Sequence, residues 1–321
     1  MFNIYTKGKN ANDVWIKTMK CLKKYGKESA PRSKRIKEIL GYNICIENPK
    51  NKIIYCPTRK MSLPYAVGEF IYYITGDNSL EFIQYYSNQF KNFTDDGKTI
   101  NSAYGHRIFG YTNLIDFNQW EHVKKQLKED IDTRQAIIHL HLPNNKKTND
   151  ELCTLTLQFM IRNNKLNLLV NMRSNDIIWG FTYDVFNFTL FQELMANELN
   201  IEVGNYYHNA ASMHIYEKDW NKLKHIRNKK PKNFNLEFNL DTITLNDKRL
   251  LKLIELEEII RLSYNINDVV NINDDLNHDT LNLMLKILKQ YKIEKMFKNK
   301  QITEHEFNMY KLNVYDKFFF K

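Results

Sequence analysis

Between Cys153 and Asp184 the chain collects the residue types a covalent reaction on a phosphorylated substrate would need. Cys153 offers a thiolate, a nucleophile when deprotonated. Arg173 and Ser174 offer planar N–H and hydroxyl donors suited to phosphate oxygens. Asp184 falls at the mouth of the next helix, where it either caps that helix, with Thr182 as the rival cap, or serves some chemical purpose. Glu69 lies upstream in the apolar run Val67-Gly68-Glu69-Phe70-Ile71. A carboxylate buried there must be paired, protonated or functional, because an unpaired buried charge is expensive, although it could also face solvent. His139 and His141 share one strand face without a third ligand nearby, which favours a structural role over a metal site. The basic segment Pro31 to Lys37 reads either as a solvated loop or as a phosphate clamp.

Two β-runs around the turn Asn163-Asn164-Lys165 must hold Cys153 and Arg173 near one another. The apolar spacing of Val14, Ile16, Met19 and Leu22 predicts a helix over 10–25, followed by a strand from Tyr42 to Glu47. Pro64 suits the first turn of a buried helix, Tyr65 to Thr75, ended by Gly76. Asn78 with Glu81 predicts a capped helix to about Phe90, and Asp116 with Gln119 predicts another. A β-stretch spans Ala136 to Leu142. Val185, Phe188, Phe191, Met195 and Leu199 mark a largely buried helix, and the segment to Tyr216 follows. Beyond it, residues 224 to 232 are basic and broken by Pro231. Helices are expected over Asp247 to Ser263 and Asp279 to Phe297, with a third opened by Thr303 and Glu306.

The 321 residues are enough to bury a sizeable core, and the 43% hydrophobic and 26% charged content is ordinary for a globular protein. No apolar run reaches the ~20 residues needed to cross a bilayer, and Met1 to Lys7 shows no signal-peptide pattern, so cytoplasmic residence is expected. Cys21, Cys45, Cys56 and Cys153 are too few and too irregular for a disulfide framework or a zinc site. The net charge of +10 suits a phosphate-bearing partner, nucleotide or nucleic acid.

The order of these residues resembles the thymidylate synthase family over roughly residues 10 to 220. Cys153 stands twenty residues before Arg173-Ser174-x-Asp176, then come Gly180, Asp184 and His214-x-Tyr216. Glu69 in Gly-Glu-Phe-x-x-x-x-x-Gly-Asp, Tyr104-Gly105 and Asp132-x-Arg134 fall in order upstream. The resemblance implies an α/β (α+β) fold with a large mixed β-sheet flanked by helices. It also implies a catalytic unit over 1–220, followed by a segment 221–321 that partly completes that unit and partly forms a helical extension.

By the same resemblance, Cys153 adds to pyrimidine C6 and makes C5 nucleophilic toward a one-carbon unit from 5,10-methylenetetrahydrofolate, with no metal. Arg173 is the candidate to lower the thiol pKa and, with Ser174, to hold the 5′-phosphate. Arg134 reaches that phosphate from the partner in a homodimer, and Arg32 closes over it. His214 and Tyr216 bind the sugar hydroxyl, Asp176 the pterin, and Glu69 and Tyr104 manage water and protons. Asp184 stands where the synthases carry an Asn that reads the base. A carboxylic acid matches the N4 donor and N3 acceptor of cytosine, whereas an ionised Asp facing uracil O4 costs ~1–3 kcal/mol. Asp184, Thr154 after the nucleophile and Met172 before Arg173 resemble the deoxycytidylate hydroxymethylases of phages. No Trp lies between Glu69 and Tyr104 to keep water from the exocyclic methylene.

The sequence therefore points to 5-hydroxymethylation of a cytidine monophosphate, dCMP ahead of CMP, as an enzyme for which nucleic acid is not required. The alternatives are a dCMP 5-methyltransferase, a dUMP-methylating synthase, and a nucleic-acid-binding protein on a synthase scaffold.

Overall fold

Leu166, Leu168 and Val170 are buried while alternate neighbours are not, and the same holds for Tyr206, His208 and Ala210 and, apart from buried Cys45, for Tyr42, Ile44 and Ile46. This period of two builds a sheet with one fully packed face. The structure is a computed structural model and describes residues 5–56, 58–110, 117–142, 148–226, 238–312 and 314. The chain runs β1 (Tyr5–Gly8), α1 (Ala11–Tyr25), β2 (Lys27–Ser29), β3 (Ile36–Ile46), α2 (Leu63–Ile74), α3 (Leu80–Tyr86), α4 (Tyr104–Phe109) and α5 (Gln119–Glu129). There follow β4 (Ile137–His139), β5 (Thr154–Arg162), β6 (Lys165–Met172), β7 (Asn175–Asp176), α6 (Gly180–Leu199) and β8 (Glu202–Tyr216). Last come α7 (Lys248–Leu262), α8 (Ile266–Val270), α9 (Asp279–Lys298) and α10 (Glu304–Tyr310).

The strand order is β1-β3-β8-β6-β5-β4, with β2 paired to β3 and β7 to β8. Parallel pairs (β1 with β3, β6 with β8) sit among antiparallel ones (β3 with β8, β5 with β6, β4 with β5). The expected mixed sheet flanked by helices is what forms. The β5–β6 hairpin turns through Asn163 and Asn164 at φ 53° and 56°. Asn tolerates that left-handed region, and two such residues match the twist of a two-residue hairpin. Apolar residues surround α6 on every side, and a helix of that kind belongs inside the protein. It packs against β6 and β8 on one side and against α2 and α5 on others.

Several expected boundaries shift. Ser79, not Asn78, caps α3 by accepting from the Phe82 amide, because Asp77 Oδ1 already holds the Ser79 amide at 2.6 Å. That helix stops at Tyr86, and Asn88–Asn92 is a separate 3-10 turn. Asn118 caps α5 through the Glu121 amide at 3.1 Å, while Asp116 lies outside the described residues. The strand from Ala136 shortens to Ile137–His139, and the one from Tyr42 lengthens back to Ile36. Neither Asp184 nor Thr182 is a helix cap: α6 already begins at Gly180, and the Thr182 hydroxyl donates back to the Ile178 carbonyl at 2.9 Å. This leaves Asp184 one turn inside the helix, free to point elsewhere.

The helices after residue 240 share the buried cluster of the rest of the chain. Leu250, Leu253, Leu281, Met284 and Leu288 belong to the same apolar cluster as Phe70 and Phe191. Glu257 accepts from the Tyr86 hydroxyl at 2.7 Å and from Arg261 Nε at 2.9 Å, tying α7 to α3. Among the described residues no helix is long and apolar enough to cross a membrane.

Candidate active site

Glu69 enters from the middle of α2, Cys153 from the residue before β5, and Asp184 from the first turns of α6. These three line a single cleft with about 300 Å³ of internal space. Its walls also include Arg32, Tyr104, Arg173, Ser174, Asp176, His214 and Tyr216, so all but one of the predicted site residues converge. The exception is Arg134, which is exposed between α5 and β4 and is seen only through its carbonyl, bonded to Gln158 Nε2 at 2.9 Å.

Glu69 is buried, and its carboxyl gathers three donors. The Tyr65 hydroxyl bonds Oε1, the Tyr73 hydroxyl reaches the same oxygen at 3.2 Å, and Asn187 Nδ2 reaches Oε2 at 2.7 Å. Burial nevertheless outweighs these donors and pushes its pKa up to about 7. Such a group holds or releases a proton near neutrality, the range a general acid–base needs. Tyr104 reaches the cleft because Gly105 allows α4 to meet α2 closely: a Cβ there would lie 1.9 Å from the Tyr73 carbonyl. The Tyr104 and Tyr73 rings sit 5.5 Å apart.

Arg173 is fastened behind Cys153. Its Nε donates to the Leu152 carbonyl at 2.7 Å and its Nη2 to the Glu151 carbonyl at 2.9 Å. The expected lowering of the thiol pKa is only part of the balance: burial pushes the Cys153 thiol up, Arg173 and Arg32 pull it down, and Asp184 and Asp150 push it up again. In the free protein the thiol form therefore predominates, and a bound phosphate would not improve that. On the adjoining strands, the parallel pairing of β7 with β8 sets Asp176 opposite His214. Ser174 Oγ lies 3.4 Å from His214 Nδ1, and the Tyr216 ring stands edge-on to the imidazole at 5.0 Å. Asp176 accepts from the Ile178 and Trp179 amides at 3.3 and 2.9 Å, fixing the turn into α6 while leaving its carboxyl on the cleft wall.

Asp184 opens partly onto the cleft, and its Oδ2 accepts from Asn175 Nδ2 at 2.7 Å. Burial, followed by the charge of Glu69, pushes its pKa well above the ordinary carboxylate value. The acid form is therefore favoured, giving one hydroxyl donor and one carbonyl acceptor. Sequence reasoning missed Asn175, Asn187, Tyr65 and Tyr73. An amide at Asn187 within the apolar run Val185 to Phe191 was a readable signal of a buried polar role; Asn175 offered none. Tyr72, Phe90 and Phe93 also line the cleft. Among the described residues no group of His, Cys, Asp and Glu could hold a metal ion.

The thymidylate synthase family profile matches residues 14–273, and the chain belongs to that family. The match runs well past residue 220, to just beyond α8. Among its relatives, a deoxyuridylate hydroxymethyltransferase of Bacillus phage SP01 is 34% identical over 226 residues, covering 66% of this chain and 59% of the relative. A deoxycytidylate 5-hydroxymethyltransferase of Enterobacteria phage T4 is 30% identical over 139 residues, covering 39% of this chain and 55% of the relative. The chain thus spans little more than half the length of these relatives. The thermostable thymidylate synthase A of Bacillus subtilis shares the fold at a TM-score of 0.56 and 20% identity, covering 67% of this chain and 82% of that one.

Proposed function

We propose that this protein catalyses 5-hydroxymethylation of a pyrimidine deoxynucleoside monophosphate, with cytosine as the base it reads. The observation that carries the reading is Asp184: a carboxyl in the same cleft as Cys153 and Glu69, held by Asn175 and with its pKa pushed by burial well above the ordinary carboxylate value. The one-carbon unit would come from 5,10-methylenetetrahydrofolate, and the Asp176 carboxyl on the cleft wall suits the N–H donors of a pterin. Cys153 attacks pyrimidine C6 through Sγ, which turns the ring into an enamine nucleophilic at C5. Arg173 and Ser174 hold the 5′-phosphate with Arg32 above them, and His214 with Tyr216 takes the sugar hydroxyl. Glu69, poised near neutrality, accepts and returns protons at the base, with Tyr104 beside it. C5 would take the one-carbon unit from the folate and give up its proton to Glu69 while tetrahydrofolate leaves; water then adds to the exocyclic methylene and Cys153 departs, so the nucleotide gains CH2O.

Two features support hydroxymethyl over methyl transfer. The chain segment from Glu69 to Tyr104 carries no Trp, and the phage relatives named above are hydroxymethyltransferases. A homodimer is supported by the position of Arg134, exposed and away from its own cleft. The face of β5, β6 and β8 opposite α6 adds half-exposed Leu155, Met160, Leu169 and Tyr207 for a partner to cover. A second reading, uridylate as substrate, is favoured by the name of the SP01 relative.

One assay separates these readings. The purified protein is given dCMP, CMP or dUMP with methylenetetrahydrofolate, and product masses are read. A gain of CH2O on dCMP is expected, and a gain of CH2 would mean methyl transfer. Turnover of dUMP alone would overturn the cytosine assignment. Asp184→Asn should move the preference toward dUMP.

A further inference from the structure

A carboxylic acid can sort cytosine from uracil only if its two oxygens are not interchangeable. Cytosine presents a donor at N4 and an acceptor at N3, while uracil presents an acceptor at O4 and a donor at N3. Moving the acid proton from one oxygen to the other turns a match for one base into a match for the other. On the reading that Asp184 meets the pyrimidine edge, we propose that the buried line Tyr206–His208–Asn175 holds that carboxyl in one donor–acceptor sense, making these three residues positioning residues for base selectivity.

The line is continuous and directional. Tyr206 Oη lies 3.0 Å from His208 Nδ1, His208 Nε2 lies 3.1 Å from Asn175 Oδ1, and Asn175 Nδ2 lies 2.7 Å from Asp184 Oδ2. Tyr206 and His208 are wholly buried and Asn175 nearly so. An amide oxygen only accepts, so the proton of a neutral His208 sits on Nε2 and leaves Nδ1 bare for the Tyr206 hydroxyl. Burial pushes the His208 pKa down to about 3, so the ring carries a single N–H at neutral pH. The reversed arrangement would turn the Asn175 amide over and let Asp184 donate to it. It would also require Nδ1–H to point at the tyrosine oxygen, and the hydroxyl proton would need another acceptor. Among the described residues His208 is the only hydrogen-bond partner of Tyr206 Oη. Leaving a buried hydroxyl without its partner costs ~1–3 kcal/mol, which selects the first arrangement.

Packing keeps the line in place. The Phe181 ring meets the His208 imidazole edge-on at 5.1 Å, which fixes the plane of the ring. Gly180 clears the space where Asn175 meets Asp184: a Cβ there would lie 2.7 Å from Asn175 Nδ2 and 3.4 Å from Asp184 Oδ2. A carbonyl oxygen accepts more strongly than a hydroxyl oxygen, so with Oδ2 taking the Asn175 N–H the acid proton favours Oδ1. The base then meets one fixed pattern rather than an average of two.

The test reads equilibrium dissociation constants for dCMP and dUMP, and their ratio, in four proteins. These are the unaltered chain and the variants His208→Leu, Tyr206→Phe and His208→Gln. In His208→Leu the ratio should fall about tenfold toward one, the loss expected when a buried hydrogen bond no longer enforces direction. Tyr206→Phe should move it the same way by less, and His208→Gln should keep most of it because its amide N–H can serve Asn175. A ratio unchanged in His208→Leu, or both nucleotides weakened equally, would overturn the proposal, as would an unaltered chain that does not discriminate. If His208→Leu does not fold, Tyr206→Phe, which loses one oxygen, decides. A wild-type preference for dUMP sinks the cytosine assignment but not the relay, whose own prediction concerns only the collapse of the ratio.

Discussion

Cys153 and Glu69 carry opposite demands within one small cleft. To act as the proposed nucleophile the thiol must lose its proton, yet burial holds it in the neutral form and Arg173 only partly compensates. Cys153→Ala should abolish exchange of the substrate C5 proton with solvent, measured by tritium release from labelled nucleotide; full exchange would remove it as the nucleophile. The Glu69 carboxyl has a pKa of about 7 in the fold against 4.5 as its ordinary value. Between those values the folded state binds the proton more tightly than the unfolded chain, so stability falls as pH rises through this window. Ionised Glu69 therefore costs about 3 kcal/mol above the upper value, at roughly 1.4 kcal/mol per pKa unit. Glu69→Gln cannot ionise, and should be inactive yet melt several degrees higher than wild type at about pH 8, with the gap closing toward about pH 5. A gap that does not depend on pH would show that Glu69 ionises freely.

Among the elements, α2 and α6 do most of the positioning, and both are held from behind. Tyr86 at the end of α3 hands its hydroxyl to Glu257 on α7, which also holds Arg261, whose guanidinium lies 4.3 Å over the Phe82 ring. Glu257 is 1% exposed, so its removal strands a cation and a hydroxyl in the interior. Glu257→Leu should cost about 3 kcal/mol in urea denaturation, the scale for breaking a buried pair from one side. A loss within error of zero would mean that α7 does not brace α3. Elements were mostly readable from sequence where polar and apolar residues repeat, as in α1 and the β5–β6 hairpin, or where a long run is mostly apolar, as in α6. Caps were less so: Asn78 and Ser79 are both good caps, and the choice fell to Asp77, which turns the chain one residue later than the pattern suggested.

For the molecule as a whole, the proposed homodimer requires each cleft to borrow Arg134 from a second copy. Cys153→Ala and Arg134→Ala proteins, each inactive or weak alone, should recover activity when unfolded together and refolded as a mixture. In such a pair the Arg134→Ala subunit keeps its thiol and receives the other subunit's arginine. Mixed protein no more active than its parents would mean that Arg134 serves its own chain or none. The Lys52–Glu193 ion pair binds distant parts of the fold: its partners are 0% and 2% exposed in their side chains, and Lys52 Nζ also donates to the Phe238 carbonyl at 2.6 Å. Residues past 220 are thus joined to the rest by hydrogen bonds to a buried ion pair as well as by apolar packing.

What the sequence determined by itself was the chemistry on offer: a thiol, an Arg-Ser pair and an acid, in an order that constrains their spacing along the chain. Spacing along strands and helices becomes spacing in space because those elements have fixed rises per residue. What only the tertiary structure decided was the state of those groups. Whether Glu69 faces solvent, whether Asp184 caps a helix, and whether Arg173 outweighs burial at Cys153 all depend on what packs around them. Desolvation and hydrogen bonding come from neighbours remote in the chain, as Asn187 is from Glu69 and His208 from Asn175, and no local pattern encodes them.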